Sequence, residues 1–309
     1  MIYIDLINNK EELLKEKEKK YNKFLKKIII YYRMWTSYIA ISQKEFGEII
    51  TIQKFNNVTY EKFKKLLKIK SVKTICLSNK FNNNDRIYEI IKEENIKIID
   101  GNELKKYLIK EIIEYICKNK LENLHEQEIS FLVKKNNYLM NSTIKEIAKE
   151  VKNVNIITNN FMQFRLLEKS LLENNGIILN ITDNYRKSLI KSNFIINIDF
   201  TSEEINKCVM AKYCCLINLT NEIIKINKKG FEGININKFE YVVSSKCVLN
   251  KPDNFNKEMF YESLIIRNSN PENILNKIKK DKVKIIGTYG KNGKITKKEF
   301  EKLKRKIIL

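Results

Sequence analysis

Short apolar runs alternate with amphipathic stretches between residues 129 and 200, and this pattern predicts strands joined by helices. Each apolar run has about five residues, too few for a helix, and therefore predicts a buried strand. The runs are 129–133, 154–158, 177–181 and 194–198. Between them, apolar residues recur at the spacing of one helix face. Strands separated by helices of this length form βαβ units, so we predict a parallel sheet with helices on both faces.

Local signals mark where these elements begin and end. The spacing Thr-x-x-Glu predicts capping boxes at two helix starts, one at Thr143 and one at Thr201. Gly176 follows the second helix, and glycine accepts the positive φ that ends many helices. The pattern continues with a fifth strand at 213–219, and 239–243 is the expected sixth strand.

The first part of the chain predicts a different, mixed arrangement. Residues 28–32, 38–42 and 48–53 are strand-like runs, and their short links favour antiparallel hairpins. A long helix then reaches Lys118, and the polar stretch at 120–128 is the expected linker.

The expected fold class is therefore α/β, with two domains. Residues 1–120 form a mixed α/β domain, and residues 121–250 form a Rossmann-like parallel sheet with helices on both faces. Residues 251–309 are predicted to be a helical and strand extension that packs back on the domains.

The loop after the first strand of the sheet contains no glycine, although a dinucleotide-binding turn depends on glycines. They allow a tight turn and let the backbone approach the pyrophosphate at a helix N-terminus. Here the loop is 134–142, in which Tyr138 and Met140 would occupy the space of the phosphates. The end of the second strand has Thr158 and two asparagines where a ribose-binding Asp or Glu is expected. Standard NAD binding is therefore not expected, and no cofactor is predicted.

Three runs nevertheless resemble a known group of nucleotide-binding domains. The runs are Val154–Asn160, Lys191–Asp199 and Cys215–Leu219. They resemble the NAD(P)-binding domain of the shikimate dehydrogenase, glutamyl-tRNA reductase and alanine dehydrogenase group. The resemblance covers about a third of the chain. It implies a Rossmann domain that binds NAD or NADP, but the glycine loop is missing and no catalytic residue is carried over.

Polar side chains are expected at the edge where ligands bind in open parallel sheets, beyond the carboxyl ends of the strands. The candidates are Asn159, Asn160, Arg165, Asp183, Arg186, Lys187 and Asp199. Asp183 and Asp199 would form a polar pair, and Arg186 or Lys187 would bind an anion. Arg165 would meet a 2′-phosphate. The alternative, which we favour for the two aspartates, is that Asp183 marks a turn and Asp199 a helix start.

The formal charge of +22 raises the question of nucleic-acid binding. Of the 59 basic residues only six are arginines, and the lysines are spread along the whole chain. Phosphate-reading surfaces favour arginine and cluster their basic residues on one face. Nucleic acid is therefore the least favoured partner.

The remaining composition points to an ordinary intracellular protein. The six cysteines form no C-x-x-C pair, and the one histidine, His125, cannot by itself build a two-histidine metal site. No metal site is predicted. No apolar run approaches ~18 residues, so no membrane span and no membrane partner are expected. We expect a reduced, cytoplasmic, soluble protein.

Three functions follow from these observations. The first is a non-catalytic binding or regulatory protein that has lost standard dinucleotide binding and takes a small ligand or a protein partner. The second is an NAD(P)-dependent oxidoreductase with an atypical phosphate loop. The third is a nucleic-acid-binding protein.

Overall fold

The computed structural model describes residues 1–7, 14–15, 17–36, 39–52, 57–82, 85–136, 138–185, 187–227, 230–243, 251–266 and 270–308. The strands are β1 (Ile2–Leu6), β2 (Ile39–Lys44), β3 (Gly47–Ile52), β4 (Thr74–Leu77), β5 (Lys97–Ile98), β6 (Glu128–Leu132), β7 (Asn153–Ile157), β8 (Asn180–Thr182), β9 (Phe194–Asn197), β10 (Cys215–Asn218), β11 (Ile234–Ile236), β12 (Lys238–Val242), β13 (Lys284–Gly290) and β14 (Gly293–Lys294). The helices are α1 (Lys23–Trp35), α2 (Asn57–Ile69), α3 (Ile87–Glu93), α4 (Asn102–Tyr107), α5 (Ile109–Lys120), α6 (Tyr138–Ala148), α7 (Arg165–Asn175), α8 (Ser202–Lys207), α9 (Lys257–Ile266), α10 (Pro271–Lys280) and α11 (Lys297–Ile308).

The chain divides into two compact units. Unit 1 comprises Met1–Gly101 and Lys246–Asn268, and unit 2 comprises Asn102–Ser245 and Ser269–Leu309. Two segments thus lie differently from the boundaries predicted at 120 and 250. Helices α4 and α5 belong to unit 2, where α5 packs on α6, β13 and α11. Helix α9 belongs to unit 1, where it packs against β4.

Unit 1 contains a five-stranded sheet in the order β2-β3-β1-β4-β5. The hairpin β2–β3 is antiparallel, and the other neighbours are parallel. One sequence prediction is wrong here, because residues 28–32 lie within α1 and not in a strand. Asn22 caps that helix by accepting a hydrogen bond from the backbone N–H of Leu25. A short apolar run by itself does not distinguish a strand from a helix segment.

Unit 2 is built on a six-stranded, all-parallel sheet with helices on both faces, which confirms the predicted fold class. The strand order is β11-β10-β9-β6-β7-β8. Counted from β6, this is 6-5-4-1-2-3, the doubly wound order of dinucleotide-binding folds. The sheet is a Rossmann sheet, with its strand order reversing between β6 and β9.

Three details of unit 2 differ from the sequence prediction. The sixth parallel strand is β11, whereas 238–242 forms β12, which pairs antiparallel with β13 in a separate three-stranded sheet. Thr143 does not cap a helix, because α6 already begins at Tyr138. The long helix ending near Lys118 is two helices, α4 and α5, separated at Leu108. By contrast, the capping box of Thr201 with Glu204 is present, and Gly176 ends α7 with φ +66°.

The predicted linker at 120–128 is part of the fold of unit 2. Lys120 is the last residue of α5, and its side chain is completely buried. Its Nζ lies 2.7 Å from a carboxyl oxygen of Glu122 and 5.4 Å from the centre of the Phe194 ring. The polar sequence conceals this ion pair beneath β9, because a Lys-x-Glu pattern has the composition of a solvated loop.

Within the described ranges, no helix combines the length and the apolar composition that crossing a membrane requires.

Candidate functional site

The reversal point between β6 and β9 is the first place to examine, because ligands of open parallel sheets bind beyond the strand ends at such a point. Two loops meet there. One follows β6 and leads into α6, and the other follows β9 and leads into α8. In a dinucleotide-binding domain the first loop would offer its backbone N–H groups to the pyrophosphate.

Asp199 occupies those backbone groups. The N–H of Lys134 donates to one carboxylate oxygen of Asp199 at 2.7 Å, and the N–H of Lys135 donates to the other at 3.1 Å. A carboxylate that accepts two adjacent backbone N–H groups is an internal counterpart of a bound phosphate oxygen pair. The anion position of this loop is therefore filled by the chain itself.

The next residue of the loop is also engaged from within the protein. The backbone N–H of Asn136 donates to the side-chain oxygen of Gln163 at 2.8 Å, and the Asn136 side-chain amide donates to the Gln163 carbonyl at 2.5 Å. Three consecutive N–H groups, those of residues 134 to 136, are thus satisfied by side chains. Together they close the turn that the missing glycines would otherwise have left open to a ligand.

The lysine of this loop is neutralised as well. Lys134 Nζ lies 2.7 Å from a carboxylate oxygen of Glu204 and 5.6 Å from the centre of the Phe200 ring. Desolvation by itself would raise the pKa of Glu204, but hydrogen bonds from Lys134 and Thr201 outweigh it and hold that pKa below its usual value. Lys134 therefore stabilises the start of α8.

Beyond β9 and β10, a chain of buried asparagines fixes the neighbouring loops. The Asn197 amide donates to the side-chain oxygen of Asn218 at 3.0 Å, and the Asn218 amide donates to that of Asn237 at 3.1 Å. Asn197 also accepts from the Phe200 N–H at 2.9 Å. Asn197 and Asn218 are almost completely buried. The amides that end three parallel strands serve one another and their loops.

Removal of the central amide of this chain should destabilise unit 2. We expect Asn218→Ala to lower the free energy of unfolding by about 1 to 2 kcal/mol, because buried partners lose their hydrogen bonds. Chemical denaturation followed by circular dichroism measures the change. Asn174→Ala is the matched control, since the exposed Asn174 amide makes only a surface contact with Ser170. An equal loss in both variants would contradict a structural role for the buried amides.

The remaining candidates on the far side of the sheet do not converge on one site. Asn159 and Asn160 are exposed after β7, where the Thr158 hydroxyl accepts from the Asn160 N–H in a local turn. Arg165 is the exposed first residue of α7, and Lys187 is also exposed. Arg186 lies outside the described residues.

Asp183 and Asp199 do not form the polar pair considered from the sequence. They follow β8 and β9, and two strands lie between these in the sheet. Three strand spacings separate them by about 14 Å. Asp183 is exposed in a bend, where the Thr182 hydroxyl accepts from the Asn184 N–H at 3.0 Å. Asp199 therefore works alone, as an anchor of the β6 loop.

A second candidate site is a cleft in unit 2 beside α5. Its volume is about 780 Å³, within the usual size range of small-ligand pockets. Its lining includes Glu111, Glu114 and Tyr115 of α5, Ile285 of β13 and Lys297 of α11. It thus combines an apolar wall with charges of both signs.

Glu111 is the unusual group of this cleft. Burial raises the pKa of its carboxyl to about 7, and one of its oxygens is buried with no hydrogen-bond partner among the described atoms. Burial also raises the pKa of Glu114. Carboxyl groups that titrate near neutrality are suited to proton transfer or to binding a cationic group. In the sequence, Glu111 is one of many glutamates beside lysines, and no local pattern singles it out.

Comparison with known proteins adds a set of distant structural likenesses. No protein-family model matches the chain, and no curated protein matches it. Among solved structures, L-tryptophan dehydrogenase from Nostoc punctiforme is 10% identical, with a TM-score of 0.34, over 100% of this chain and 88% of that one. A shikimate dehydrogenase in complex with NADP+ is 11% identical, with a TM-score of 0.31, over 75% of this chain and 85% of that one.

A dipicolinate synthase from Bacillus halodurans is 12% identical, with a TM-score of 0.31, over 46% of this chain. The match spans about half of that protein, 49% of its length. Likenesses this distant carry no argument about activity. The Rossmann character of unit 2 rests on its own strand order.

Proposed function

We propose that this protein is a non-catalytic binding or regulatory protein whose Rossmann domain no longer holds a dinucleotide in the standard position. The observation that carries the proposal is the pair of hydrogen bonds from the N–H groups of Lys134 and Lys135 to Asp199. A pyrophosphate at this loop would have to displace a charged group that the fold already pairs. It would also place its negative charge beside the Asp199 carboxylate, which lowers affinity further.

The engagement of the neighbouring groups supports the same proposal. Gln163 satisfies the Asn136 N–H, and Glu204 pairs with Lys134, so the loop offers neither a free donor at that position nor an unpaired cation. The second strand end offers Asn159 and Asn160 where a ribose-binding carboxylate is expected. The cleft beside α5 is of a size to take a small ligand in place of the lost nucleotide.

A titration with the nucleotides tests the proposal. We expect isothermal calorimetry to show no saturable heat when NAD or NADP is added to the purified protein up to millimolar concentration. A dissociation constant well below about 1 mM, corresponding to binding stronger than roughly 4 kcal/mol, would contradict it. The same nucleotides added to Asp199→Asn provide the comparison, since this variant keeps the side-chain shape but weakens the internal anion.

The strand order favours one alternative, an NAD(P)-dependent oxidoreductase with an atypical phosphate loop. The order of unit 2 is that of dinucleotide-binding domains, and the crevice between β6 and β9 is their binding position. This alternative requires the β6 loop to rearrange and Asp199 to leave its N–H partners. It predicts saturable binding of one nucleotide by the wild-type protein, so the same titration decides between the two functions.

A further inference from the structure

Helix α1 of unit 1 presents its apolar side to solvent. Phe24, Ile28 and Tyr31 recur at the spacing of one helix face, and they are 70%, 50% and 79% exposed. Leu25 and Tyr32 border the same face and are also exposed. A helix on the surface of a globular unit normally turns such a face towards the core.

The opposite side of α1 is the one that is partly buried. Lys26, Ile29, Ile30 and Arg33 are half-buried, and Arg33 makes a two-pronged ion pair with Glu18 at 2.6 and 2.7 Å. This pair fixes α1 to the preceding turn through its polar side. The apolar face therefore points outward as a consequence of how the helix is attached.

The charges around this face are almost all positive. Between residues 17 and 36 the sequence has seven basic residues and one acidic residue, Glu18, which is engaged by Arg33. Lys19, Lys20, Lys23 and Lys27 are exposed along the helix and the turn before it. A surface that covers the apolar face without repelling these lysines has to be anionic.

These properties decide between the available occupants. A second copy of the same helix would bring two sets of lysines together with no acidic groups to pair them. A nucleic acid would satisfy the lysines and leave the exposed Phe24, Ile28 and Tyr31 without an apolar partner. An anionic lipid surface satisfies both, since headgroups attract the lysines and the acyl boundary accepts the apolar side chains.

We propose that α1 is an interfacial helix that docks this protein on anionic membrane surfaces. The aromatic content of the outward face fits the headgroup level, where tyrosine and tryptophan concentrate. Docking of this kind needs no spanning segment. The expectation of no membrane partner followed from the lack of an apolar run long enough to span, and that lack leaves surface docking open.

Vesicle flotation tests the docking. We expect the full chain to float with vesicles that contain phosphatidylglycerol and phosphatidylcholine, and to bind vesicles of phosphatidylcholine alone at least about tenfold more weakly. The only tryptophan, Trp35, is the last residue of α1, so its fluorescence should shift to shorter wavelength on binding.

The apolar face is tested by the combined substitutions Phe24→Ser, Ile28→Ser and Tyr31→Ser. We expect affinity for the anionic vesicles to fall about a hundredfold, because three apolar side chains no longer enter the lipid. The matched control replaces Leu166, Ile178 and Ile223 by serine, since these apolar residues of unit 2 are as exposed and lie outside α1. That control should bind as the wild type does.

Three outcomes would overturn the proposal. The first is a wild-type protein that does not float with anionic vesicles. The second is a triple α1 variant that binds them as tightly as the wild type, which would assign the binding to lysines elsewhere on the chain. The third is a wild-type dimer in sedimentation that the α1 substitutions dissociate, which would make the face a contact between two copies.

Discussion

Replacing Glu122 by glutamine is expected to lower the free energy of unfolding by about 3 kcal/mol, the largest loss we predict for a single conservative change. Lys120 is completely buried, and Glu122 supplies its countercharge at 2.7 Å. Glutamine keeps the shape of the side chain and removes the charge, so the Lys120 ammonium is left buried without compensation. Chemical denaturation followed by circular dichroism measures the loss.

Two further variants identify the cause. Lys120→Met combined with Glu122→Leu should recover most of the lost stability, because replacing both charges by apolar groups removes the desolvation cost. Glu173→Gln breaks the exposed pair of Lys169 and Glu173 and should change stability by less than about 0.5 kcal/mol. If Glu122→Gln were as mild as Glu173→Gln, the pair beneath β9 would be solvated.

Replacing Asp199 by alanine is the second large effect, and we expect a loss of about 2 to 3 kcal/mol. The variant removes two charge-assisted hydrogen bonds, to the N–H groups of Lys134 and Lys135. Lys135 is exposed, so water compensates part of the loss. The free energy of unfolding again comes from chemical denaturation.

The same variant should also acquire an anion site. With the carboxylate gone, inorganic phosphate can accept the two N–H groups, and phosphate should raise the melting temperature of Asp199→Ala more than that of the wild type. Asp183→Ala is the matched control, because Asp183 lies in an exposed bend and its carboxylate makes none of these contacts. Equal phosphate effects on the wild type and Asp199→Ala would mean that the loop is no anion cradle.

The sheet of unit 2 could be predicted from the sequence because its signal is local and repeated. Buried parallel strands are continuous apolar runs, and those of β6, β7, β9 and β10 are bounded by polar residues. The sixth strand was missed because Ile234–Ile236 has only three residues, and the longer run after it alternates in the same way. Residues 28–32 were misassigned because a run of isoleucine and tyrosine fits a strand and a helix equally.

The chemistry of the site was predictable only as a deficit. The missing glycines of loop 134–142 could be seen in the sequence, but the group that replaces the phosphate could not. Asp199 is 64 and 65 residues from its backbone partners, and Gln163 is 27 residues from Asn136. One signal was available, since an asparagine ends or directly follows β9, β10 and β11. Those asparagines form the buried chain.

Amide hydrogen exchange at Lys134 and Lys135, measured by NMR with and without NADP, tests the central claim most directly. If Asp199 occupies these N–H groups, both should exchange slowly in the wild type, much faster in Asp199→Ala, and at unchanged rates when millimolar NADP is added to the wild type. Fast exchange in the free wild-type protein that NADP slows would contradict the claim, because the loop would then be an open nucleotide site.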